Sequence, residues 1–132
     1  MAGPAGLEER LAAVLAEVLA VDAEPDGALT VRHEGTLASI RVVAVADDLE
    51  LVSFTQILAW DLPLNDGLRE RADEQARLSQ LGTVTLVAKD SKSADALLRY
   101  NFPGSGLSDD ALRTFVLLVL AKGADIRDAL IG

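Results

Sequence analysis

The fold turns on the stretch from Ala28 to Trp60, ALTVRHEGTLASIRVVAVADDLELVSFTQILAW. In Ala28–His33, Leu29 and Val31 share one face while Thr30 and Arg32 share the other. Glu34-Gly35 reads as a tight turn into Thr36–Val45, where Ala38, Ile40, Val42 and Ala44 lie on one side. After the acidic turn at Asp47-Asp48 comes Leu49–Trp60, in which Val52, Phe54, Leu58 and Trp60 alternate with Leu51, Ser53, Thr55 and Ile57. Alternation at period two, β-branched residues and short turns predict three strands of an antiparallel meander.

Helices flank this stretch. Leu7, Leu11, Val14, Leu15 and Val18 recur at helical spacing, which predicts a helix over Leu7–Val21 that DAEPDG then ends through Pro25 and Gly27. Pro63 closes the third strand, and Asn65 or Asp66 can cap a second helix reaching about Ser79. Its apolar stripe, Leu68, Ala72 and Ala76, is narrow, so it either packs thinly or pairs with a copy of itself. Thr83–Lys89 and Asp95–Phe102 read as a fourth and fifth strand. A last helix starts at Asp109 and is expected to pause near Gly123. The order helix, three strands, helix, two strands, helix predicts an α+β class, with a twisted antiparallel sheet flanked by helices in one domain over residues 1–132.

Composition narrows the function. A chain of 132 residues, half of them apolar and a quarter charged, suits a globular domain. No apolar run approaches the roughly 20 residues of a transmembrane helix, and MAGPAGLEER lacks the basic start of a signal peptide, so no membrane association and a cytoplasmic location are expected. Without cysteine there are no disulfides, zinc thiolates or thiol nucleophiles. A net charge of −9, with the basic residues scattered among acids, argues against a nucleic-acid partner.

The motifs are mostly structural. Pro103-Gly104-Ser105-Gly106 resembles a phosphate loop, but Asp109 and Asp110 follow it where a phosphate would need positive charge. Those carboxylates suit the helix dipole, and Ser108 suits the N-cap. His33, the single histidine, has no partner that spacing identifies; an enzyme reading would need it to meet an acid such as Asp61. The acidic groups Asp22/Glu24/Asp26 and Asp47-Asp48 lack the ligand spacing of a calcium loop, so no metal and no cofactor are expected. Trp60, at the end of a strand, is either core or an anchor for a partner.

The segments ELVSFTQILAWDLP, DGLRERADEQARLSQLG, TVTLV and LLRYNFPGSGLSDDALRTFVLLVLA, in that order, resemble the secretion-chaperone-like fold. That group includes the type III secretion chaperones of the Tir-chaperone (CesT) type and the YbjN family of bacterial regulators. The sequence departs from many YbjN-like chains in reading ARLSQLG where an Asn-containing step is expected. The resemblance implies a small acidic homodimer that holds a protein or peptide partner along its sheet and is not an enzyme. It places Leu68, Ala72 and Ala76 at a two-fold interface, and Phe54 and Trp60 are the candidate partner contacts. The alternative is a sensor with an apolar small-ligand pocket under its first or last helix.

Overall fold

The computed structural model describes residues 6–131; Met1–Ala5 of the N-terminal stretch and Gly132 lie outside the described residues. The elements are α1 (Leu7–Ala16), β1 (Val21–Ala23), β2 (Leu29–His33), β3 (Thr36–Ala46), β4 (Leu49–Pro63), α2 (Asp66–Leu78), β5 (Thr83–Ala88), β6 (Ser93–Pro103) and α3 (Asp109–Ile131). The six strands form one antiparallel sheet in the order β1-β2-β3-β4-β6-β5. The α+β architecture is as the sequence predicts, with one strand more than expected.

That strand comes from the end of the predicted first helix. α1 stops at Ala16, Val18 is left 45% exposed, and Val21 and Ala23 pair with Val31 and Leu29 of β2. The β-branched Val21 gains a ladder partner there that a helix would not give it. Only the second half of DAEPDG is the turn, closed by the Gly27 N–H donating to the Glu24 carbonyl, with Gly27 at φ +91°.

Strand parity divides the sheet into two faces. Val31, Ala38, Ile40, Val52, Phe54, Ala96, Leu98 and Phe102 are buried on one of them. All three helices contribute to the same core: Leu7, Leu11 and Leu15 from α1, Leu68 and Ala72 from α2, and Leu112, Val116, Val119 and Leu120 from α3. Both predicted caps form. The Asn65 side chain accepts from the Leu68 N–H at 2.8 Å, and the Ser108 hydroxyl accepts from the Ala111 N–H at 3.1 Å. Gly104 is buried where a Cβ would meet Leu7 and Val52, so the glycine turn lets the chain pass under α1.

α3 does not pause at Gly123; it runs unbroken to Ile131. The glycine has a packing cause. Gln56 falls on the inward face of β4 between Phe54 and Leu58 and is fully buried beneath α3. A Cβ at position 123 would overlap its amide. The Gln56 Nε2 donates to the Thr36 hydroxyl at 2.8 Å and to the Leu120 carbonyl at 3.3 Å, and Thr36 donates in turn to the His33 carbonyl at 2.6 Å. These bonds fix the amide orientation, since the reverse would set two acceptors face to face. Oε1 lies against Gly123 without a hydrogen-bond partner.

Two bulges then break the parity of β4. Ile57 pairs with Leu97, but Ala59 pairs with Ala96 and Leu62 with Ala94, so β4 carries one extra residue at each step. The Arg127 guanidinium of α3 donates to the Leu58 carbonyl at 2.7 Å, at the first bulge. At the second, Asp61 takes φ +54° and its N–H donates to Asp95 Oδ1 at 2.9 Å. Lys89 reaches Asp61 at 2.8 Å and Asp95 at 3.3 Å. Its hydrogen bond to Asp61, then that to Asp95, holds the ammonium above the ordinary lysine range.

Two outcomes are expected. Gln56→Met removes the unpaired oxygen at nearly constant volume, so urea denaturation should place it within about 1 kcal/mol of the wild type or above it. A loss well beyond about 2 kcal/mol would mean that the amide bonds stabilise the fold on balance. The second concerns alkali. A lysine raised by its partners contributes fully below its unfolded value, about 10.4, and that contribution fades as pH rises through the folded value. The stability advantage of wild type over Lys89→Met should therefore be present at about pH 8 and shrink towards about pH 11 and above. An advantage that grows with pH would contradict it.

Candidate functional site

Among the described residues no helix covers the second face of the sheet. The direct partners Arg32, Leu37, Ile57, Leu97 and Thr85 form a row across β2, β3, β4, β6 and β5. Leu37, Ile57 and Leu97 are half-buried in the middle of that row. A parallel row runs Thr30, Ser39, Thr55, Arg99 and Thr83. The face is thus an apolar bar beside a polar one, without the helix that buries such a bar on the other side.

The first bulge decides what joins it. Leu58 and Ala59 are both directed inward, at 0% and 2% exposure, which turns Trp60 outward at 42%. Val87, which pairs with Asp95 beside Trp60 in the sheet, is 43% exposed. At the far end Val43 and Leu51 pair with each other, with Val43 41% exposed.

The expected site residues separate on this geometry. Phe54 and Trp60 share a parity in the sequence but lie on opposite faces. Phe54 is buried among the core residues, so its side chain is not open to a partner, whereas Trp60 is. Leu68 and Ala72 also point into this chain's own core, which holds α2 against β5 and α3. Of the three α2 residues only Ala76 is exposed, near Leu78 at 66%. His33 and Asp61 are not brought together: β3 lies between their strands, and Asp61 is engaged by Lys89.

Basic and acidic side chains are mixed on and around the open face. Arg41 pairs with Asp26 at 2.7 Å, and Asp95 with Lys89. Bonds from the Ala28 N–H and from Arg41 hold the Asp26 carboxyl below its ordinary value. Arg32 and Arg99 are exposed, and among the described residues neither forms an ion pair; Asp22 on the short edge strand and Glu24, which accepts from the Thr30 hydroxyl at 3.0 Å, are acids of this face that also form none. Among the described residues no group of acids and histidine is arranged to hold a metal ion, and no helix is long and apolar enough to cross a membrane.

Sequence reading missed Leu37, Leu97, Arg32 and Arg99 as site residues. The signal was present as the alternating set opposite Phe54, but only the strand order shows which residues line up across the sheet.

No protein-family model matches the sequence, and no curated protein does. Among solved structures, the chain is similar to the crystal structure of YbjN from E. coli, described as a proposed transcription regulator. The TM-score is 0.65, with 93% of this chain and 89% of that one covered at 16% identity. Identity at that level speaks to the fold, and the six-stranded sheet with three helices is a YbjN-like α+β fold.

Proposed function

We propose that the protein is a non-enzymatic protein-binding module, adaptor- or chaperone-like, that takes a segment of a partner protein on the open face of its sheet. The observation that carries this reading is the uncovered bar of Leu37, Ile57 and Leu97 with Trp60 in the neighbouring row beside it. Contiguous exposed apolar surface on an otherwise charged protein marks an interaction site, and tryptophan is enriched among anchoring residues. The description of the YbjN structure as a proposed transcription regulator is compatible with a protein that acts by contact.

The same reading includes a homodimer. β5 forms one edge of the sheet, and its six residues, TVTLVA, contain neither charge nor proline. Edges are ordinarily blunted by such residues, so this one is suited to pairing with a second copy. Ala76 and Leu78, on the exposed part of the adjoining α2, replace Leu68 and Ala72 as the helix contacts of such a dimer.

A groove of about 550 Å3 between the end of α2 and α3, lined in part by Leu78, Leu81 and Leu118, favours a second reading as a small-ligand sensor. Ile126 adds to its apolar wall and Gln75, Lys122 and Asp125 to a polar one, and it lies away from the sheet, between α2 and α3 and not beneath α1 or α3 where a sensor pocket is expected. The protein-binding reading therefore stands first.

Capture from the source cell tests it, comparing wild type with an Ile57→Ser/Leu97→Ser variant whose fold is verified by circular dichroism. One or a few proteins should be recovered by wild type and lost with the variant. Recovery of the same proteins by both would remove the open face from the account.

A further inference from the structure

We infer that the open face receives an acidic amphipathic helix of another protein, with its apolar side on Leu37, Ile57 and Leu97 and its carboxylates on Arg32 and Arg99. The inference rests on the proposed use of this face for docking and adds the chemistry of the occupant.

Charge is the first argument. The chain has a net charge of −9, yet two arginines without an ion-pair partner flank the apolar bar, and the acids without one on this face, Asp22 and Glu24, lie at the β1 edge beside Thr30. Arg32 sits at its end on β2; Arg99 lies two residues along β6 from Leu97, opposite Thr55. Neighbouring strands are about 4.8 Å apart, so three strand spacings and a two-residue offset separate the arginine backbones by roughly 16 Å. About eleven residues of α-helix cover that length at 1.5 Å each. A three-turn helix with carboxylates near its ends and apolar residues between them matches the spacing.

Geometry is the second. Strands add at sheet edges, where backbone groups are unpaired, whereas a sheet face is covered by a helix or by another sheet. An extended segment laid on this face would leave its own backbone unpaired. A second copy stacking face to face would set the arginines of both copies along one apolar seam whose own row contains no acid, which like-charge repulsion opposes. That leaves a helix of opposite charge.

The test uses two synthetic 18-residue peptides with the same leucine face, one carrying glutamates and the other lysines on the flanks. Binding is read by Trp60 fluorescence, since Trp60 is the single tryptophan. At about 50 mM salt the glutamate peptide should bind about tenfold more tightly, the scale of two exposed ion pairs, and added salt should narrow the gap. Arg32→Glu/Arg99→Glu, two exposed positions, should reverse the preference. Equal binding of both peptides, released by Ile57→Ser/Leu97→Ser but indifferent to the arginine changes, would overturn the acidic partner while leaving the docking face standing. Tighter binding of the lysine peptide to wild type would overturn it too. No binding of either peptide, or binding that ignores Ile57 and Leu97, would remove the docking face and this inference together.

Discussion

The insertion of Gln56 into the space that a side chain at position 123 would fill is the constraint around which the fold is arranged. A long apolar helix can lie closely over the centre of a sheet only where something small faces something large. Here the large group is an amide, fully buried, and the small one is a glycine in the interior of α3. Glycine costs a helix interior about 0.5–1 kcal/mol relative to alanine, and the unpaired Oε1 adds a desolvation cost. The Cα–H of Gly123 that takes the direction of a Cβ points at that oxygen, a weak but recurrent contact. The link also fixes register. The amide bonds to Thr36 of β3 and to Leu120 of α3, so β3, β4 and α3 are located with respect to one another by one side chain.

Once α3 is held there, the inward set of β4 is settled and the outward set follows by parity. The bulges alter that rule in one place. By spending an extra residue at Leu58 the strand turns Trp60 out, and Arg127, Lys89, Asp61 and Asp95 hold the altered path. The core and the open face are thus two results of one arrangement. The helices take up the apolar residues of one face, and the residues left on the other are too apolar to be an ordinary solvent surface yet too few to be a core.

Much of this was legible in the sequence because the sequence is locally consistent. The alternation in LTVRH and in SADALLRYNFP, the Glu34-Gly35 turn, the Asn65 and Ser108 caps and the stripe of α3 each specify an element without help from tertiary structure. Three things were not legible, for different reasons. Val21 continues a helical stripe and also begins a strand; only the presence of β2 beside it decides. Gly123 carries the same signal as a helix end, and only the burial of Gln56 explains why the helix goes on. Trp60 follows the parity of Phe54 until a bulge, which no local residue announces, moves it to the opposite face. The candidate site was less legible than the fold, because a row across strands joins residues as distant as Arg32 and Leu97.

A double-mutant cycle between positions 56 and 123, read by urea denaturation, tests the central claim most directly. With Gln56 present, Gly123→Ala forces the amide aside and should destabilise by about 1–3 kcal/mol. With Gln56→Ala as background the space is open, and the same change should stabilise by up to about 1 kcal/mol through helix propensity. A reversal of sign identifies the amide as the reason for the glycine. The same destabilisation in both backgrounds would contradict the account.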